Sequence, residues 1–143
     1  MYVDTILKKK GDTVITVEPD TLVSTAARIL NDNRIGAALV RDSSGKIIGV
    51  LSERDIVRGV AVNQETCLAM KVRDLMTHPV ISCSPSDSID QIMEQMTERR
   101  IRHLPVMQGD TLLGIISIGD VVKQRISEIE HESEALKQYI SAG

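Results

Sequence analysis

The sequence predicts an α+β fold built from two tandem β-α-β-β-α repeats, followed by an extended C-terminal helix. Residues 101–120, IRHLPVMQGDTLLGIISIGD, contain two short apolar runs joined by a Gln-Gly-Asp turn, and a helical pattern follows at once. Such a segment is typical of a β-hairpin that leads into a helix. Residues 35–55, IGAALVRDSSGKIIGVLSERD, have the same design. Because a similar strand-and-helix pattern precedes both hairpins, the fold is predicted to be an internal duplication.

The first strand and the first helix of each repeat recur at a constant spacing. The strands are predicted at residues 14–18 and 80–84, and a proline follows each of them. The helix that comes next has apolar residues at i, i+3 and i+7, the pattern of an amphipathic helix. Ser88 and Gln91 add a capping box at the start of the second copy. The apolar positions are Val23, Ala26 and Leu30 in the first copy and, 66 residues later, Ile89, Ile92 and Met96.

Each hairpin ends in a Gly-apolar-apolar-Ser segment that leads into the second helix of its repeat. These segments begin at Gly49 and Gly114, which are 65 residues apart, whereas the preceding elements are 66 apart. One residue has therefore been lost in the hairpin turn, where such losses are tolerated. A lead-in segment recurs as well, because residues 3–7, VDTIL, resemble residues 72–76, VRDLM.

The predicted domains are residues 1–65 for the first repeat, 66–130 for the second repeat and 131–143 for a helical tail. The chain would pass from one repeat to the next through residues 61–71. A repeat of roughly 60 residues has a small interior and is marginally stable by itself. We therefore expect the two sheets to pack against each other around a pseudo-two-fold axis.

The last helix is predicted to extend beyond its counterpart in the first repeat. Its apolar residues follow a short heptad pattern of the kind found in coiled coils. Two interpretations remain open: the helix packs on its own domain, or it forms the contact of a homodimer, which is the expectation that we favour. The pattern consists of Val122, Ile126, Ile129, Leu136 and Ile140.

The composition excludes several classes of protein. With 42% apolar and 26% charged residues, the 143-residue chain has the balance of a soluble globular protein. No apolar run approaches the roughly 18 residues of a membrane helix, and the N-terminus does not resemble a signal peptide, so we expect a cytoplasmic protein without a membrane partner. A net charge of -3 and 1% aromatic residues argue against nucleic-acid binding. Residues 8–10, KKK, are accordingly interpreted as a solvated face.

Neither a metal site nor an enzyme is expected. Cys67 and Cys83 have no CxxC or His-spaced pattern, so they indicate neither a zinc site nor a disulfide framework. No Walker loop, GxGxxG, HExxH or GxSxG pattern is present. Cys83 with His78 or His103 is a conceivable nucleophile pair, but Cys83 lies in a strand that should be packed.

The two hairpins also carry a family resemblance. The I-R-H-L-P-V run before the second hairpin and the Gly-apolar-apolar-Ser-x-x-Asp ending of both copies resemble a pair of CBS domains, the regulatory module named after cystathionine β-synthase. The resemblance covers about residues 1–130. It implies a non-catalytic sensor that binds an adenosine-containing ligand in clefts between the repeats and acts on a downstream protein. AMP or NAD(H) is the expected ligand, with ATP, ADP or S-adenosylmethionine as alternatives.

The motif residues have chemistry that suits such a ligand. Asp55 is predicted in the first turn of a helix, three positions after Ser52, so both side chains lie at the same helix start. A carboxylate only accepts hydrogen bonds, so it can take both hydroxyl protons of a ribose. Ser52 and the free amides of the helix start can hold a phosphate. Ser117 and Asp120 repeat the arrangement; the alternative is that both aspartates only stabilise helix N-termini.

The remaining site residues follow from the resemblance. Arg102 and His103 stand at positions that often face a phosphate in the family, where the first copy has Gly36 and Ala37, so the two clefts are expected to be unequal, with Arg54 adding to the anionic one. A 2′-phosphate would repel the aspartates, so NADP should bind more weakly than NAD or AMP. The alternative function is a structural dimerisation module with degenerate clefts. The expected adenine contacts are Thr16, Ile35, Gly36, Ala37, Ser82, Ile101, Leu104 and Pro105.

Overall fold

The structure is a computed structural model that describes residues 1–11 and 13–142. The chain forms two compact units. The central unit is formed by residues 13–81, and the terminal unit by residues 1–11 together with 82–142. The elements in chain order are α1 (Val3–Lys10), β1 (Thr16–Val17), α2 (Val23–Asn33), β2 (Ala37–Arg41), β3 (Ile47–Ser52), α3 (Glu53–Asn63), a 3-10 helix (Gln64–Ala69), α4 (Val72–Leu75), α5 (Ile89–Arg99), β4 (His103–Gln108), β5 (Thr111–Ser117) and α6 (Ile118–Ala142).

The central unit contains a three-stranded sheet in the order β1-β2-β3. β1 is parallel to β2, because α2 carries the chain back between them, and β2 and β3 form the predicted antiparallel hairpin. The predicted apolar face of α2 is buried. It packs with the sheet into a core that contains Val17, Ala26, Leu30, Ala38, Val40, Leu51 and Val72.

The terminal unit repeats this design with a sheet of two strands, β4 and β5. β4 and β5 form the second predicted hairpin, and the apolar face of α5 is buried as expected. The strand predicted at residues 80–84 is wrong in extent, because only Cys83 pairs, in parallel, with Val106. Pro79 and Pro85 bracket that segment, and proline cannot donate to a strand ladder. The first strand is likewise shorter than predicted and contains only Thr16–Val17.

The lead-in segments are exchanged between the repeats. α1, which precedes the first repeat, packs in the terminal unit, whereas α4, which precedes the second repeat, packs in the central unit. The predicted boundary between residues 65 and 66 marks the sequence repeats and stays a prediction, while the compact units are interleaved along the chain. The matching backbone hydrogen bonds are Val3 N to Asp87 O (2.9 Å) and Asp4 N to Pro85 O (3.0 Å) in one unit, and Val72 N to Thr21 O (2.8 Å) and Arg73 N to Pro19 O (3.0 Å) in the other.

The two glycines that begin the Gly-apolar-apolar-Ser segments make room for these lead-in segments. A Cβ atom on Gly114 would lie 2.7 Å from Leu7 Cδ2, and one on Gly49 would lie 2.6 Å from Met76 Sδ. Leu7 and Met76 are the last residues of the two matching lead-in sequences. Glycine at these strand positions therefore permits a close approach, and a larger residue would require the Leu7 or the Met76 side chain to shift.

The C-terminal helix α6 runs without a break through Ala142, which confirms the predicted extension; residue 143 of the predicted tail lies outside the described residues. The α+β fold of two tandem repeats is likewise confirmed. The five apolar residues of the heptad pattern are between 42% and 68% exposed, so the described part of the chain does not cover this face. None of the described helices is both long enough and apolar enough to span a bilayer.

Candidate functional site

Both repeats place an aspartate in a capping box where the hairpin meets the following helix. In the central unit, the Asp55 amide donates to Ser52 Oγ (3.2 Å), and Asp55 Oδ2 accepts from the Ser52 amide (2.9 Å). In the terminal unit, the Asp120 amide donates to Ser117 Oγ (3.2 Å), and Asp120 Oδ2 accepts from the Ser117 amide (2.9 Å). The sequence motif thus produces the same local geometry twice, as a capping box requires.

Asp55 is almost completely engaged by its own unit. Besides the Ser52 amide, Oδ2 accepts from Ser52 Oγ at 3.1 Å. Oδ1 accepts from Thr77 Oγ1 at 3.1 Å and lies 3.5 Å from Arg58 Nη1. A carboxylate has about four acceptor positions, so these four donors fill its capacity. With a side chain only 3% exposed, Asp55 is committed to holding β3, α3 and the segment after α4 together.

Asp120 is engaged on one oxygen only. Its Oδ2 accepts from the Ser117 amide and from Lys10 Nζ, the latter at 2.7 Å. Its Oδ1 accepts no hydrogen bond from any residue that the structure describes, and the side chain is 26% exposed. Asp120 therefore keeps acceptor capacity for an external donor such as a hydroxyl group.

The surroundings of Asp120 keep it ionised. Partial burial by itself raises the pKa of the carboxyl group, but the hydrogen bonds from Lys10 and from the Ser117 amide, together with the charge of Lys10, outweigh that effect. The pKa of Asp120 consequently lies below its ordinary value. At neutral pH this group is an acceptor and not a donor.

The helix starts offer fewer unbonded amides than the sequence predicted. The Glu53 amide donates to Gly36 O (2.9 Å), and the Ile118 amide donates to Arg102 O (2.8 Å). The amides of the two aspartates are already used in the capping boxes. The predicted phosphate site of free amides is therefore reduced at both helices, and side chains must supply more of the binding.

Most predicted residues of the first copy meet at one end of the central sheet. Ala37, at the start of β2, pairs with Ser52 at the end of β3, and Gly36 precedes this pair. Thr16 in β1 pairs with β2 two residues further along. Ile35 packs against the core of the unit, and Arg54 is exposed on the first turn of α3.

The second set of predicted residues is less uniform. His103 pairs with Ser117 across β4 and β5, and Arg102 beside it is exposed. Leu104 is fully buried, so a contact between its side chain and adenine is not possible in this structure. Pro105 accepts a hydrogen bond from the Cys83 amide through its carbonyl. Ser82, which precedes Cys83, is exposed, and Ile101 is half-buried.

The sequence interpretation missed two donors that reach the aspartates from the exchanged lead-in segments. Thr77 Oγ1 donates to Asp55, and Lys10 Nζ donates to Asp120. Lys10 is exposed, as expected for a solvated face, but its ammonium group donates both to Asp120 Oδ2 and to Ile115 O, the latter at 2.9 Å. The recurrence of the lead-in sequence was the signal that pointed to these segments.

Cys83 is unsuited to act as a nucleophile. Burial raises the pKa of its thiol to about 12, and the negative charge of Asp87 adds to the effect. The reactive thiolate is therefore strongly disfavoured at neutral pH. In the described ranges, no three His, Cys, Asp or Glu side chains come together as metal ligands would.

Solved structures of other proteins share the fold of this chain. A solved CBS-domain containing protein from Agrobacterium tumefaciens is 44% identical, with a TM-score of 0.85 over 87% of this chain and 92% of that one. A CBS domain protein from Pyrobaculum aerophilum complexed with AMP is 24% identical, with a TM-score of 0.73 over 84% of this chain and 89% of that one.

The CBS domain pair of protein MJ0100, in complex with 5′-methylthioadenosine and S-adenosyl-L-methionine, is 23% identical, with a TM-score of 0.79 over 90% of this chain and 98% of that one. At under 25% identity, it and the AMP complex show the fold alone. The family model described as CBS domain matches residues 11–62 and 72–127. Because these two matches together span well over half of the sequence, one for each repeat, this chain belongs to the CBS domain family and contains a tandem pair.

Proposed function

We propose that this chain is a non-catalytic regulatory module that binds an adenosine-containing nucleotide and thereby alters its interaction with a downstream protein. AMP is the favoured ligand, and NAD(H) is the next choice. The observation that carries the proposal is the ionised Asp120 carboxylate, whose Oδ1 has no donor in the part of the chain that the structure describes. Relatives of the same fold bind AMP or S-adenosyl-L-methionine, which supports an adenosine ligand.

The chemistry of Asp120 fits a ribose. A ribose presents two adjacent hydroxyl donors, and one carboxylate oxygen has two acceptor positions. Oδ1 can therefore receive the diol while Oδ2 keeps its bonds to Ser117 and Lys10. A 2′-phosphate would bring negative charge against Asp120, so we expect NADP to bind more weakly than NAD.

The central unit is proposed to be the weaker site. A ribose at Asp55 must displace Thr77 or Arg58 from Oδ1, which the terminal unit does not require. Within the proposed sites, Ser52, Arg54, Ser117, Arg102 and His103 bind phosphate. Adenine contacts are made largely by the backbone near Thr16, Ile35, Gly36, Ala37, Ser82, Ile101, Leu104 and Pro105.

The proposal is tested by thermal unfolding with AMP, ADP, ATP, NAD, NADH, NADP and S-adenosylmethionine. A ligand present at 100 times its Kd adds about 2.7 kcal/mol to the free energy of unfolding. Asp120→Asn should weaken AMP binding by about 10- to 150-fold, because it removes a hydrogen-bond acceptor that carries charge. Asp32→Asn, an exposed aspartate on α2, is the matched control and should bind as the wild type does.

A second candidate function is a structural dimerisation module. The observation that favours it is the uncovered apolar face of α6, whose heptad residues are at least 42% exposed. If none of the seven nucleotides shifts the unfolding temperature, the sensor proposal fails and this candidate replaces it. A homodimer is compatible with both functions.

Catalysis is not part of either proposal. The raised pKa of Cys83 opposes nucleophilic chemistry at this residue, the cysteine of the conceivable nucleophile pair. The cytoplasmic location expected from the sequence stays a prediction, as does the identity of the downstream protein.

A further inference from the structure

We propose that Lys10 determines the ligand specificity of the terminal-unit site, because its ammonium group favours adenosine ligands that carry a phosphate over neutral adenosine and over cationic S-adenosylmethionine. This inference rests on the proposed function, since it takes Asp120 as the ribose-binding residue. The Lys10 ammonium is a compact positive charge, and it lies next to the carboxylate that is proposed to accept the ribose hydroxyls.

The ammonium group of Lys10 is only partly used within the chain. It donates to Asp120 Oδ2 at 2.7 Å and to Ile115 O at 2.9 Å. A lysine ammonium has three donors, so one N–H is left for a ligand atom. The Lys10 side chain is 35% exposed, which gives a ligand access to it.

Lys10 is held in place because the end of α1, to which it belongs, is attached to α6. The neighbouring Lys9 Nζ donates to Gln124 Oε1 at 3.0 Å, and Gln124 is buried on α6. The two lysines therefore fix the C-terminal end of α1 against the first two turns of α6. A cation that is already positioned loses little conformational freedom when a ligand binds, so its charge contributes more to affinity.

The charge of a ligand decides whether Lys10 strengthens or weakens its binding. A nucleotide whose ribose is bound to Asp120 lies at the start of α6, where the Lys10 ammonium also lies. A 5′-phosphate is attracted there by Lys10 and by the positive end of the helix dipole. The 5′-sulfonium of S-adenosylmethionine is repelled by the same charges. In the central unit the donor that follows α4 is the neutral hydroxyl of Thr77, and the cation beside Asp55 is Arg58, which comes from α3.

The experiment is a titration of the 15N-labelled protein with AMP, adenosine and S-adenosylmethionine, followed by NMR. Shifts of the Ser117 and Asp120 amides report the terminal-unit site, and those of the Ser52 and Asp55 amides report the central unit separately. Lys10→Met removes the charge and keeps most of the side-chain volume. Lys10→Arg keeps the charge.

Lys8→Met is the matched control for Lys10→Met. Lys8 lies on the same helix, its side chain is 81% exposed, and its ion pair is with Asp4, not with Asp120. The variant therefore makes the same change of net charge away from the site. The dispersion of the amide spectrum verifies that each variant is folded.

The expected result is that Lys10→Met weakens AMP binding at the Ser117 and Asp120 amides by about 10-fold, the lower end of the effect of a charge-assisted hydrogen bond, because the site is partly exposed. Adenosine should change by less than about threefold, S-adenosylmethionine should bind equally or more tightly, and Lys10→Arg and Lys8→Met should keep the wild-type preference. If Lys10→Met leaves the ratio of AMP to adenosine affinity unchanged, or tightens all three ligands, Lys10 does not select phosphate and this inference alone fails. If the wild type binds none of the three ligands, the inference fails, and the proposed function fails with it only when the other nucleotides of the unfolding panel also leave the unfolding temperature unchanged.

Discussion

At the scale of single residues, the two motif aspartates differ in how their carboxylates are used. Asp55 receives donors on both oxygens and is buried, whereas Asp120 receives donors on one oxygen and is a quarter exposed. The donors that cause the difference, Thr77 and Lys10, come from segments 22 and 110 residues away along the chain. Matching sequence positions can therefore differ: one aspartate is filled by donors of its own unit, while the other keeps an oxygen without a donor among the described residues.

This difference predicts unequal effects on stability. Asp55→Asn should lower the free energy of unfolding by about 2–3 kcal/mol, because it removes a buried charge and leaves the donors around it poorly matched. Asp120→Asn should cost about 1 kcal/mol or less, since its ion pair is partly exposed. Urea unfolding of both variants, with Asp32→Asn as the control, measures the difference. Equal losses for Asp55→Asn and Asp120→Asn would contradict the assignment of a mainly structural role to Asp55.

The pH dependence of the Asp120 contribution provides a second check. The pKa of this group is lower in the folded chain than its ordinary value of 3.8. Its contribution to stability is therefore present above about pH 4 and is lost as the pH falls through the lower folded value. The stability gap between the wild type and Asp120→Asn should consequently narrow on acidification. A stability difference between the two proteins that widens below pH 4 would contradict a lowered pKa for Asp120.

At the scale of elements, the exchange of lead-in segments explains why glycines stand where they do. Gly59 on α3 packs against the 3-10 helix and α4, since a Cβ atom there would lie 2.8 Å from both Cys67 Sγ and Leu75 Cδ1. Gly119 on α6 is different, because its nearest neighbour to a Cβ atom is Ser117 Oγ at 3.6 Å, an ordinary contact. Substitution of Gly59 therefore tests the packing of α3, whereas substitution of Gly119 tests helix propensity alone.

The corresponding prediction concerns alanine at these two positions. Gly59→Ala should destabilise the chain by about 1–3 kcal/mol, because the added methyl group overpacks the contact between α3 and α4. Gly119→Ala should be neutral or slightly stabilising, because alanine favours a helix and the space for it is available. Thermal unfolding of the two variants gives the comparison. A Gly59→Ala variant as stable as the wild type would mean that α4 does not pack as closely as described.

At the scale of the whole molecule, the sequence predicted what is local and missed what is distant. The hairpins and the buried stripes of α2 and α5 follow from short periodic patterns, and the structure confirms them. The exchange of α1 and α4 depends on contacts between segments far apart in the chain, which periodicity does not encode. The contact of Lys10 with Asp120 was missed for the same reason, although the repeated lead-in sequence indicated that its segment had a structural partner.

The uncovered face of α6 gives the last prediction, which concerns assembly. Its heptad residues are exposed along five turns of one helix face, and the chain forms no cover for them within the described residues. Such a face is stabilised when a second copy buries it, so we expect a homodimer with the two α6 helices in contact. Ile129→Glu places a charge within this contact and should shift the mass measured by light scattering from that of two chains toward 15.7 kDa. His131→Glu, which adds a glutamate at an exposed position on the opposite side of α6, should leave the dimer intact. A wild-type protein that is monomeric at every concentration tested would rule out this role for α6, and the nucleotide site proposed for the terminal unit would then have to act within a single chain.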